Sequence, residues 1–248
     1  MITLKELDTI EPGTALESLR RAQLTDLQRG LALICYPVSV IDGAYGPRTR
    51  NAWAEFKEDI GEGNPGTVSA NSVEVLKDKV RALDSLISVS LENTDQVKDA
   101  IGEVCKAMGI GLKTQIAYVL ATAQWETAHT FKPVKEAFWL SENWRKNHLH
   151  YYPFYGRGYV QLTWKRNYEK YASILGIDLA GNPDLALQAN TALFVLVHGS
   201  ATGTFTGRRL EEFINENKTD YKNARRVING LDKWPEIQRL AEDYADEL

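Results

Sequence analysis

Lys113 to Glu136 reads KTQIAYVLATAQWETAHTFKPVKE, and its two halves follow different rules. In the first half Ile116, Val119, Leu120, Ala123 and Thr127 recur at intervals of three and four, which stacks side chains on one face of a helix. The spacing predicts a helix with an apolar stripe. At about 100° per residue Glu126 falls at the rim of that stripe and not opposite it. Apolar neighbours, with Trp125 and Phe131 close in sequence, would disfavour its charged form and raise its pKa. The plainer alternative is a carboxylate facing water at a helix end, and for Glu126 alone that is the commoner case. Pro133 should stop or redirect the helix. The chain can then return and set Glu136 against Glu126 across a cleft. Glu142 competes for that place, and spacing does not choose between them.

A pair of facing carboxylates is what glycoside hydrolysis needs, one to protonate the leaving oxygen and one to activate water or attack the sugar. The next block, Tyr151 to Tyr171, YYPFYGRGYVQLTWKRNYEKY, suits such a substrate. Gly156 and Gly158 permit close backbone approach. Gln161, Thr163 and Asn167 can donate to and accept from hydroxyl and N-acetyl groups, and Tyr and Trp faces suit sugar rings. A short strand with aromatic packing would explain YVQLTW but not the whole block.

The rest of the chain narrows the class. It has 248 residues, 44% of them hydrophobic and 25% charged, a formal net charge of −4 and a mean hydropathy of −0.33. This is an ordinary globular composition with room for one large domain or two unequal ones. The negative balance argues against a nucleic-acid binder, and no apolar run reaches bilayer-spanning length. MITLKELDTIEPG alternates charged and apolar residues, so no signal peptide is expected. Cys35 and Cys105 lack CxxC partners and read as two buried, reduced thiols. His129, His148, His150 and His198 match no metal-ligand spacing, and WETAH lacks the leading His of a zinc helix. No metal and no cofactor are expected. His129, one turn beyond Trp125, either lines the cleft or caps a helix end, the second being the commoner case, and the acidic LAEDYADEL reads as a solvated helix face.

Towards the N-terminus, Leu24, Leu27, Leu31 and Ile34 have helical spacing. Asp42-Gly43 and Gly46-Pro47 are turn signals. Thr49 is a candidate N-cap, with Ala52, Trp53 and Phe56 on the following apolar face. Ser69 or Asn71 is suited to cap a third helix. Residues 81–95 read as a linker or connecting helix, ending at the helix-start signal Asn93-Thr94-Asp95. From residue 96 onward only helical periods and loops are evident. The expected fold is mainly all-α: a small three-helix domain over 1–80 and a larger helical domain over 96–248 with at most a minor hairpin.

Two resemblances follow from these motifs. Leu27-Gln28 with Asp42, Gly43, Tyr45, Gly46, Thr49, Ala52 and Phe56 resembles the three-helix peptidoglycan-binding module of wall hydrolases, which implies wall contact through Asp42, Tyr45, Arg48 and Thr49. ETAHTFKPVKE with GRGYVQLTWKRNY is similar to the catalytic domain of family 19 glycoside hydrolases, in the endolysin branch of that chitinase-like group, over roughly residues 100 to 235. The likeness implies a lysozyme-like helical domain and inversion at the anomeric carbon. It assigns Glu126 as general acid, Glu136 as general base and Thr163 as the residue positioning the attacking water. It places Gln161, Asn167, Tyr168 and Tyr159 against substrate. NARRVINGLD resembles the family's Arg-x-Ile-Asn-Gly segment and brings in Arg226 and Asn229, although Leu231 stands where a second glycine is usual. Glu126 and Glu136 lie ten positions apart, whereas plant chitinases have a longer interval.

The resemblance implies an endolysin cutting the β-1,4 bond between N-acetylmuramic acid and N-acetylglucosamine. Such a protein would be a monomer, made in the host cytoplasm, released through a separate membrane pore, and acting on peptidoglycan without nucleic acid or membrane insertion. A chitinase, a non-catalytic wall-binding protein and a lytic transglycosylase are the alternatives.

Overall fold

The computed structural model describes residues 2–248, and these fall into two compact units. The first comprises Met1–Ser85 with Ser173–Ile177, the second Leu86–Ala172 with Asp178–Leu248. The fold is mainly α-helical, with ten α-helices and three two-stranded antiparallel ladders among the described residues.

The first unit contains β1 (Thr14–Ala15), α1 (Arg21–Leu33), α2 (Pro47–Asp59), β2 (Thr67–Val68) and most of α3 (Ala70–Ile87). Leu27, Leu31, Trp53, Phe56, Val68 and Leu76 are fully buried. Gln28 organises the loop between α1 and α2. Its Nε2 donates to Thr49 Oγ1 at 2.9 Å and Ala44 O at 3.0 Å, while its Oε1 accepts from the backbone N–H groups of Asp42 and Gly43. Gly43 has φ +68°, and a Cβ there would lie 2.6 Å from Arg21 O, so only glycine fits. Thr49 is therefore not the N-cap. Gly46 holds that position, Pro47 opens α2, and the Thr49 hydroxyl is buried against Gln28. Ser69 does cap α3, exchanging bonds with Ser72 in both directions.

In the second unit α4 (Thr94–Ala107) starts at the expected signal, with Asn93 and Gln96 forming a capping box. Next come α5 (Lys113–Glu126), β3 (Val134–Lys135), α6 (Glu142–His148), β4 (Arg157–Gly158) and α7 (Lys165–Leu175), whose last residues group with the first unit. The chain continues through α8 (Ala189–Thr202), β5 (Ile214–Asn215), β6 (Lys218–Thr219), α9 (Tyr221–Ala224) and α10 (Trp234–Glu247). The α5 stripe is wider than the spacing predicts. Gln115 to Ala123 are all buried, because α4, α8 and α10 pack around this helix. The α10 face is not wholly solvated either, since Ala241 and Tyr244 are buried. Cys105 is fully buried, which pushes its thiol pKa up, while Cys35 is half-buried.

Pro133 does not end α5. The helix stops seven residues earlier, where Thr127 Oγ1 donates to Ala123 O at 2.7 Å and accepts from Phe131 N–H at 3.0 Å. Ala128 and His129 then take left-handed φ values. His129 lies at this helix end, next to Gln124 and edge-on to Trp125.

Candidate active site

Glu126 is the last residue of α5, so the buried helix delivers its carboxylate to the rim of the core. Its nearest partner is charged, not apolar. Arg225 Nη1 donates to Glu126 Oε1 at 2.7 Å, and the Arg225 side chain is only 5% exposed. Arg225 is held in turn by its Nε bond to Asp232 O at 3.0 Å. Oε2 of Glu126 accepts no hydrogen bond among the described residues. The expectation of a purely greasy setting is thus corrected by a guanidinium that arrives from 99 positions away.

Glu136 follows β3 and is clamped by main chain and side chain alike. Its N–H donates to Gly156 O at 2.7 Å, and Gly156 N–H returns a bond to Glu136 Oε2 at 2.8 Å. Tyr151 OH donates to Oε1 at 2.7 Å. Burial and then that bond push the Tyr151 pKa up to about 12, so the hydroxyl stays a proton donor at neutral pH. Arg145 holds the backbone from behind, donating to Glu136 O at 2.7 Å and Ala137 O at 2.9 Å. A Cβ on Gly156 would meet Gln161 Oε1 at 2.7 Å, so the glycine leaves room for the Gln161 side chain as it lies in the cavity wall.

These two carboxylates share one open cavity of about 760 Å³, lined also by Tyr151, Gln161, Thr163, Trp164 and Asn167. Glu142 is elsewhere: it accepts from Tyr155 OH and Arg145 and is not in the cavity wall. Within the cavity Thr163 Oγ1 donates to Gln161 O at 2.8 Å, and Asn167 Nδ2 donates to Thr163 O at 2.8 Å. The hydroxyl's one proton is engaged there, so it faces the cavity as an acceptor. Trp164 is 46% exposed and clusters with Tyr151 and His150. Arg226, Ile228, Asn229 and Gly230 also line the cavity.

Glu126, Glu136, Thr163, Gln161, Asn167, Arg226 and Asn229 are therefore brought together, and two anticipated contact residues are not. Tyr159 and Tyr168 are buried and outside the cavity wall. Tyr168 OH donates to Tyr155 O at 2.7 Å and accepts from Arg157, a scaffold role, and the hydroxyl of Tyr159 is buried without a partner among the described residues. In the first unit Thr49 is likewise committed inside, and Asp42 Oδ1 accepts from Ala44 N–H at 2.9 Å to shape its turn. Tyr45 and Arg48 are exposed. Sequence reasoning missed Arg225, although it abuts Arg226, and gave Tyr151 no role beyond the aromatic block that contains it. Among the described residues no group of three or more His, Cys, Asp or Glu side chains is placed to hold a metal ion. No helix among them is long and apolar enough to cross a membrane.

Residues 115–197 match the glycoside hydrolase family 19 model described as chitinase class I. The match covers about a third of the chain and takes in Glu126, Glu136 and the Gln161–Asn167 segment. Chitinase 8 and Chitinase 11 of Oryza sativa subsp. japonica are each 58% identical to this chain over 33 residues. That stretch is 13% of this chain and 13% of each rice protein. Among solved structures, chitinase C from Streptomyces griseus HUT6037 is 20% identical, covering 82% of this chain and 76% of its own, with a TM-score of 0.38.

Proposed function

We propose that the second unit is an inverting glycosidase that hydrolyses the β-1,4 bond between N-acetylmuramic acid and N-acetylglucosamine in peptidoglycan, with Glu126 as acid and Glu136 as base. The observation that carries this reading is the convergence of both carboxylates and Thr163 on one cavity. Arg225 fixes Glu126 through Oε1 and leaves Oε2 to face the glycosidic oxygen. Each Glu136 oxygen already accepts one bond and keeps a lone pair for water. A water that donates one hydrogen to Glu136 and the other to the Thr163 hydroxyl keeps its own lone pair for the anomeric carbon. In an inverting site the carboxyls stand about 6.5–9.5 Å apart to admit that water. Trp164 and Tyr151 offer ring faces for the sugars. The module-like first unit would hold the enzyme on the wall, as an endolysin requires.

The family match and the rice chitinases favour a second reading, cleavage of N-acetylglucosamine polymers. Mass spectrometry of digests separates the two. Reducing N-acetylmuramic acid ends from peptidoglycan are expected. Soluble sugar from chitin with no product from peptidoglycan would establish the second reading instead, and anhydro-sugar ends would mark a transglycosylase.

A further inference from the structure

The cavity that holds Glu126 and Glu136 is also lined by three arginines: Arg166 from the first turn of α7, Arg208 after α8, and Arg226 after α9. Their charges are not equally matched. Arg208 pairs with Glu212 at 3.1 Å, and Glu126 with Arg225. Arg226 bonds through Nε to the neutral Asn223 Oδ1 at 3.1 Å. The Arg166 side chain makes no hydrogen bond or ion pair among the described residues. Glu136 takes its bonds from a tyrosine hydroxyl and a backbone N–H, neither of them charged. Two arginines without an acidic partner therefore line the cavity beside one carboxylate that has no cationic partner.

A single solvated arginine on a surface is ordinary. Two in the wall of one cavity, in a chain whose formal net charge is −4, are not a by-product of basic composition. A neutral N-acetylglucosamine polymer offers only hydroxyls and amides, and seating it beside these groups would strip water from charge without an ionic partner. A carboxylate is different: guanidinium bonds it through two parallel, charge-assisted hydrogen bonds.

We infer that Arg166 and Arg226 select glycans bearing carboxylates, and so distinguish muramic-acid polymers from chitin. This inference rests on the glycosidase reading of the same cavity but concerns binding and not bond cleavage. The carboxylate has two sources in such polymers, the lactyl group on the sugar itself and the acidic groups of the attached peptide.

The test uses the full chain carrying Glu126→Gln, chosen to suppress turnover, and fluorescence titration at low salt. Four ligands are compared: chitohexaose, peptide-free strands with lactyl carboxylates, peptide-bearing strands, and strands whose carboxylates have been amidated. At least about tenfold tighter binding of a carboxylated strand than of chitohexaose is expected, consistent with one or more charge-assisted pairs. Amidation or added salt should erase the advantage. Adding Arg166→Gln or Arg226→Gln should each reduce it severalfold. Lys165→Gln, which removes the same charge one residue outside the cavity wall, should not reduce it. The arm that keeps the preference, peptide-free or peptide-bearing, names the carboxylate recognised. Equal binding of chitohexaose, or a preference that survives both arginine substitutions, overturns the inference. Charge-selective binding without product from the unsubstituted protein would instead sink the hydrolase reading alone.

Discussion

At Glu126 the chemistry hangs on one ion pair and one free oxygen. An amide in place of the carboxylate keeps the volume and still accepts from Arg225, so Glu126→Gln should fold normally. It has no proton to give a leaving sugar oxygen, and general acids contribute about 10²–10⁴-fold. Turnover on purified peptidoglycan should drop by at least about 100-fold, with an unchanged circular dichroism spectrum. Wild-type turnover would remove Glu126 from the mechanism. The carboxylate was legible because its position on the helical period puts it at the stripe's edge. Arg225 was not, because Arg225 and Arg226 are equivalent by type and neighbourhood, and only the turn after α9 sends one into the core and the other to the cavity.

At the scale of elements, the β3–β4 ladder positions Glu136. It pairs Val134 with Gly158 and Lys135 with Arg157, and it is too short to be stable alone. Arg157 anchors it, donating to Asp184 Oδ1 at 2.8 Å and Pro153 O at 2.9 Å, with its guanidinium 3.7 Å from the centre of the Tyr155 ring. Lys135 reaches the other Asp184 oxygen at 2.9 Å. Arg157→Leu strands these acceptors around a buried position and should cost about 3 kcal/mol in denaturant melts, the low end for a broken buried pair because Asp184 is half exposed. A melt within 0.5 kcal/mol of wild type, about the spread of neutral surface changes, would show the anchor to be dispensable.

Acid should attack the same element. Burial pushes the Asp184 carboxyl up, but the bonds from Lys135 and Arg157 outweigh it and hold the pKa below the ordinary value. A carboxyl depressed by folding contributes stability that is fully present above its unfolded value, about 3.9. That contribution is lost as pH falls through the folded value. Wild-type stability should therefore fall below about pH 4 more steeply than that of Asp184→Asn. Parallel curves would refute the linkage.

For the whole molecule, the first unit's predicted role is to keep the enzyme on an insoluble substrate. Tyr45 and Arg48 are its exposed candidates, since Asp42 and Thr49 are spent on the loop around Gln28. A Tyr45→Ala/Arg48→Ala protein should lose retention on sacculi, and its rate there should fall by on the order of 10-fold more than on short soluble fragments. Equal losses on both substrates would argue against tethering.

Local pattern was enough for the helical class, the cap at Asn93 and the place of Glu126 at the edge of its helix's apolar stripe, because helical period and capping act over a few residues. It misjudged where α5 ends, since a threonine and two left-handed residues stop the helix before Pro133 is reached. It also counted Tyr159 and Tyr168 among the substrate contacts, because a motif records residue type and not direction. Burial around α5, the presence of Glu136 and not Glu142 in the cavity wall, and the pairing of Glu126 with Arg225 each depend on segments far apart in the chain. Those were settled by packing, which decides which side chains lose water and which charge they meet when they do.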